Sequence, residues 1–167
     1  VKRSPHAHAI IKKIDASKAL ALPGVKAVIT HADFPPPPGG VGVSGEGAPQ
    51  PWRFQVENFL ANKKALYRGH AVAAVAAIDP HIAEDALALI DVEYEVLPPV
   101  LDVREAMSDA APILHDDLRT RDTTPLATNT PDKASNVAAH TQIKRGDVEK
   151  GFAEADVVIE REFTTTI

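Results

Sequence analysis

The sequence predicts an α+β fold, a mixed sheet with short flanking helices. Three observations carry this. A pattern of strand, aspartate, short helix and strand occurs three times, at 7–30, 71–97 and 136–167. Apolar residues make up 44% of the 167 positions and charged residues 25%, the balance of an ordinary globular domain. Two irregular segments, about 34–57 and 116–134, fall between the units and are rich in Pro and Gly or in Asp, Thr and Pro. The whole chain, 1–167, is read as a single domain cut from a longer polypeptide.

In the first unit Ile10, Lys12 and Ile14 share one face of an extended run. Asp15 or Ser17 can cap a helix over 18–22, and Pro23-Gly24 stops it. The β-branched run 25–30 reads as a strand. The second unit is clearer. Residues 72–78 form an apolar run, expected to be the central strand and buried on both faces. Asp79-Pro80 is a helix start, with Asp capping and Pro at the first helical position. Ile82, Ala83, Ala86, Leu87 and Ile90 fall on one helical stripe. Residues 92–96 alternate as a half-exposed strand, ended by Pro98-Pro99. In the third unit a strand is expected over 137–144 and a helix after Gly146-Asp147 with Phe152 and Ala153 inward. A closing strand is expected over 157–163. The predicted core is Ile10, Val28, Val92, Val96, Phe152 and Val158 around the central strand and its helix.

Composition excludes several functions. There is no cysteine, so disulfides, thiolate catalysis and iron–sulfur ligation by this chain are excluded. Net charge is −5 and aromatics are 5%, which argues against a nucleic-acid partner. The longest apolar run is far short of the roughly 20 residues that span a bilayer.

The chemistry-bearing residues do not assemble into a motif. His6 and His8 share a strand face at i, i+2, but no third ligand follows nearby, and polar edge positions are the plainer reading. His115-Asp116-Asp117 lacks the oxygen-ligand spacing of a calcium loop. The glycine-rich run 39–45 lacks the Lys-Ser/Thr and the helix of a phosphate cradle. Gly69 reads as a turn or bulge residue. Glu84, Asp85, Asp91, Glu93 and Glu95 are scattered over exposed faces. Ser44 stands in no Gly-x-Ser-x-Gly elbow, so a small hydrolase built on Ser44 or His70 ranks last.

Several strings do match a family. Arg3-Ser4-Pro5-His6-Ala7-His8-Ala9 is followed by Ile14-Asp15 and Leu22-Pro23-Gly24-Val25. Gly69-His70-Ala71-Val72-Ala73 leads to Ala83-Glu84-Asp85-Ala86 and then Val92-Glu93-Tyr94-Glu95-Val96. Asn136-Val137, Arg145-Gly146-Asp147 and Ala155-Asp156-Val157-Val158 complete the series. In this order they resemble the N-terminal α/β-hammerhead domain of the molybdenum-binding large subunit of the xanthine dehydrogenase and aldehyde oxidase family. The match is weakest at 34–57 and 116–134. Where the family often has Gln or Glu after the glycine of a Gly-x-Pro-Val-Ala segment, His70 and Ala71 stand here.

The resemblance implies the α/β-hammerhead fold and a reaction class, hydroxylation of an aldehyde or aromatic heterocycle with oxygen from water. It implies a molybdenum–pterin cofactor in the full-length protein, with iron–sulfur clusters in partner domains or subunits passing electrons to a flavin or another acceptor there. The family's pterin-contacting loops and general-base glutamate lie downstream of this domain. No catalytic, cofactor or metal residue is therefore assigned within 1–167, and the fragment alone is expected to be inactive. A cytoplasmic location is expected. The alternative is a free-standing ligand- or partner-binding module, including a carrier-like one modified at Lys63 or Lys64.

Overall fold

The computed structural model describes residues 1–36, 39, 41–42, 50–122, 132–143 and 145–164. The chain divides into two compact units, Val1–Leu114 and His115–Ile167.

The first unit is built on two three-stranded antiparallel sheets. One has the order β1 (Lys2–Arg3), β7 (Ala71–Ala77), β3 (Val25–Thr30). The other has the order β6 (Lys64–Ala65), β2 (Ala9–Asp15), β8 (Asp91–Val96). The predicted central strand is central, with β7 paired to β1 on one side and to β3 on the other, Val28 opposite Val75, but it is not buried throughout: Ala76 is exposed, and Ile78 lies beyond the strand and is exposed. The small side chains of β7 let helices approach closely. Ala73 meets Ala19 of α1 (Ser17–Leu20) and Ala86 of α3 (Pro80–Ala88), with Ile90, in a fully buried cluster. Ile14, Leu22, Val25, Val28, Val75, Leu87 and Val92 pack around it. Burying one such aliphatic side chain contributes about 1.5–3 kcal/mol.

Local signals explain the helix starts. The Asp79 carboxylate accepts the His81 N–H at 2.7 Å with Pro80 at the first position of α3. Asp15 accepts both the N–H and the hydroxyl of Ser17 ahead of α1. That helix ends at Leu20, two residues short of the expected 18–22 span. Gly24 turns the chain at φ +94°, and its carbonyl accepts the Ile78 N–H at 2.9 Å. An added Cβ there would meet Ile82 Cδ1 at 2.8 Å.

The segment expected to be irregular contains a helix, α2 (Trp52–Phe59), which buries Phe54. Before it, β4 (Val41–Gly42) pairs with β5 (Gln50–Pro51). After α2 comes β6. A short α4 (Val103–Ala106) starts where Asp102 caps the N–H groups of Arg104 and Glu105.

The second unit departs most from expectation. β9 (Arg121–Asp122) and β10 (Ala139–His140) form a two-rung parallel ladder. The predicted strand 137–144 is thus reduced to β10 among its described residues. α5 (Val148–Glu154) forms as expected, with Asp147 accepting the Lys150 N–H at 3.0 Å. Phe152 is nonetheless 59% exposed and Val158 57% exposed, so neither is core. Residues 157–163 form neither a helix nor a strand of a sheet. A strand lies in a sheet only where a second strand accepts its ladder, and none does so among the described residues. Val96 is also exposed. It occupies the last rung of β8 opposite Ala9, beyond the residues packed on the Ala19–Ile90 cluster.

Candidate functional site

The buried polar side chains of the first unit are Ser4, His8 and His70. Ser4 and His70 belong to one clamp between Arg3-Ser4 and the turn at 67–70, while His8 turns to Pro98. The Ser4 N–H donates to the His70 carbonyl at 2.8 Å, and the Gly69 N–H donates back to the Ser4 carbonyl at 2.8 Å. Arg3 Nη1 donates to the Gly69 carbonyl at 2.8 Å. Gly69 holds φ +91°, which a glycine adopts without steric cost.

His70 is fully buried, and both ring nitrogens are engaged. Nδ1 accepts the Leu66 N–H at 3.2 Å, and Nε2–H donates to the Glu57 carbonyl at 2.8 Å. The geometry therefore fixes the neutral Nε2–H tautomer. Tyr67 stacks on the ring at 4.4 Å. A histidine spent in this way offers no base to a substrate, which removes His70 from the hydrolase reading. Ser44 lies outside the described residues.

The two N-terminal histidines diverge. The His6 ring meets Tyr94 edge-on at 5.1 Å. His8 is buried and its Nδ1–H donates to the Pro98 carbonyl at 2.9 Å, so the pair does not present two nitrogens to one point. The Ser4 hydroxyl accepts the His6 N–H at 3.1 Å and donates to the His6 carbonyl at 3.1 Å. Burial pushes the Tyr94 phenol up from its ordinary value, and the Ser4 hydroxyl partly offsets this.

The other candidates are structural. Among the described residues no three His, Asp or Glu side chains are grouped to hold a metal ion, His115-Asp116-Asp117 included. Gly42 lies in the β4–β5 ladder, while Gly40 and 43–45 lie outside the described residues. On β8, Asp91 pairs with Lys18 at 2.8 Å and Glu95 pairs with Lys12. Such exposed pairs are screened by solvent and add little to stability. Lys64 sits in β6 with Nζ donating to the Ile113 and Leu114 carbonyls at 3.3 and 3.4 Å, unlike a lysine presented at a carrier hairpin tip. Beside the clamp lies an open groove of about 580 Å³ lined by Val1, Arg3, Ile29, Phe59, Tyr67 and Ala74 among others. It is an apolar contact surface with one guanidinium, and no nucleophile or base faces another across it.

These residues do not form a molybdenum–pterin site. The buried imidazoles and hydroxyl turn inward to backbone, and among the described residues no donor set converges. What the first unit defines is a two-sheet scaffold locked by a polar clamp. The family profile for the aldehyde oxidase and xanthine dehydrogenase a/b hammerhead domain matches residues 1–98, more than half of the chain. The chain therefore belongs to the aldehyde oxidase and xanthine dehydrogenase family through this hammerhead domain.

Relatives agree. The probable hypoxanthine oxidase XdhD of Escherichia coli K12 is 42% identical over 98% of this chain and 19% of its own. The carbon monoxide dehydrogenase large chain of Afipia carboxidovorans is 44% identical over 70% of this chain and 14% of its own. Among solved structures, reconstituted CO dehydrogenase from Oligotropha carboxidovorans superposes with a TM-score of 0.63 at 36% identity, over 93% of this chain and 18% of that one. The chain thus spans less than a fifth of the length of each of these relatives.

Proposed function

We propose that this chain is the hammerhead-bearing part of a longer molybdenum hydroxylase large subunit, and that it supplies scaffold while the chemistry is done elsewhere in that polypeptide. The observation that carries the reading is the hammerhead match over 1–98, supported by relatives that are oxidases and dehydrogenases. Residues 1–167 act as one hammerhead domain of that polypeptide. They contribute no catalytic, cofactor or metal residue and do not turn over alone.

In the whole protein a substrate C–H, on an aldehyde or an aromatic heterocycle, becomes C–OH. Water supplies the oxygen, and two protons and two electrons are released. The molybdenum–pterin group, held by the remainder of the subunit, supplies the two-electron oxidation, and electrons pass to iron–sulfur and flavin partners. A relative from Paenarthrobacter nicotinovorans, named as a subunit of the 6-hydroxypseudooxynicotine dehydrogenase complex, favours such an assembly. Among the described residues no helix is long and apolar enough to cross a membrane. A cytoplasmic location is part of the proposal, and cell fractionation checks it.

The test is turnover by the complete polypeptide, purified with its partners, on aldehydes and purines with a dye acceptor in ¹⁸O-labelled water. Labelled product is expected. A molybdenum-loaded protein that oxidises neither substrate class, or that takes oxygen from dioxygen, overturns the reading.

A further inference from the structure

Residues 98–114 complete the first unit, yet none of them is buried. Leu101, Val103 and Met107, the large apolar side chains around α4, are 82%, 74% and 65% exposed. Buried apolar surface therefore does not hold the middle of this segment in place.

Polar groups from the sheet β6–β2–β8 fasten its two ends. At the start, the Leu97 N–H donates to the His8 carbonyl at 3.0 Å, and His8 Nδ1–H donates to the Pro98 carbonyl at 2.9 Å. His8 is itself buried, and Pro98-Pro99 restricts the backbone at the same point. At the end, Lys64 Nζ donates to the Ile113 and Leu114 carbonyls at 3.3 and 3.4 Å. Leu114 is also the last residue of the first unit. The start follows β8 and the end is fastened to β6, and these strands flank β2 on opposite sides. The segment is a strap from one edge of the sheet to the other.

The two fastenings differ in kind. The start is held by bonds of ordinary length to a buried residue. The end is met by an ammonium on a flexible four-carbon stem, at distances beyond those of ordinary N–H···O bonds. Between them, α4 has only four residues, too few to stay helical in water by themselves. Its protection therefore reports whether the strap is closed.

We propose that residues 98–114 open and close as one unit, fixed at Pro98 and latched by Lys64. Closed, the tether to the second unit starts at His115; open, it starts at Pro99. The latch sets how much free chain joins the two units.

The experiment is hydrogen–deuterium exchange in the complete purified polypeptide. The amides read are those bonded within the strap, 104–108 and 111, with the β7 amides as the core reference. In the unaltered protein the strap amides are expected to exchange faster than β7 and slower than free chain, as for a unit that opens without global unfolding. Lys64→Met, which keeps the stem and removes the donor, is expected to speed the strap amides about 10-fold and leave β7 unchanged, as for loss of a hydrogen bond to a charged group. Lys64→Arg, which keeps a charged donor, is expected to retain the protection. Strap amides that exchange at the free-chain rate, or as slowly as β7, in the unaltered protein overturn the proposal. So does a Lys64→Met variant in which the strap rate is unchanged, or in which β7 speeds up equally.

Discussion

Replacing His70 by leucine tests whether the clamp, rather than the helix cluster alone, holds the first unit together. Leucine fills a similar volume but neither donates nor accepts. The Leu66 N–H loses its acceptor, and the Glu57 carbonyl loses the imidazole donor. Each loss costs about 1–3 kcal/mol when the group is buried. The stacking with Tyr67 is worth about 0.5–1.5 kcal/mol more. Together the loss is about 2.5–7.5 kcal/mol, against the roughly 5–15 kcal/mol total stability of a domain. Glutamine has both an acceptor oxygen and a donor nitrogen, so His70→Gln replaces both bonds in kind and is expected to cost only about 1–2 kcal/mol. Urea unfolding followed by circular dichroism gives both values. If His70→Leu costs no more than His70→Gln, the two ring hydrogen bonds do not hold the turn and the clamp argument fails.

Three further outcomes follow from the same geometry. Gly24→Ala forces a side chain into positive φ against Ile82 Cδ1 at 2.8 Å, and is expected to lower stability by about 1–2 kcal/mol in urea melts. Ile90→Ala opens the Ala19–Ala73–Ala86 cluster and is expected to cost about 2–5 kcal/mol, read as a drop in Tm. The chain has two tyrosines. Because burial raises the folded Tyr94 value, its neutral form is favoured by folding; this contribution is whole below about pH 10 and lost as pH climbs through the raised value. An absorbance titration at 295 nm is expected to show a late phase that Tyr94→Phe removes, and no change on that substitution would contradict the burial of the phenol.

The parts of the fold that the sequence made legible are those whose signals are local. Asp79-Pro80 starts α3, most of the apolar run at 72–78 is the middle strand, and Gly24 turns the chain after the first helix, because caps, breakers and periodicity act within a few residues. α2 escaped because Trp52–Phe59 follows a proline-rich loop and its stripe rests on one buried residue, Phe54. Phe152, Val158 and Val96 were misplaced for a different reason. Their apolar character is plain, but burial depends on what lies over them, and hydrophobic pattern alone does not say where that neighbour is. The clamp was half legible. The strings at 3–8 and 69–73 stood out separately, but the bonds joining Ser4 to Gly69 and His70 span more than sixty positions and leave no trace in spacing.

The central claim is that this scaffold belongs to a molybdenum enzyme. Elemental and pterin analysis of the polypeptide carrying this sequence, purified from its source, tests it most directly. Stoichiometric molybdenum with a releasable pterin is the predicted result. A folded, complete polypeptide free of both would contradict it.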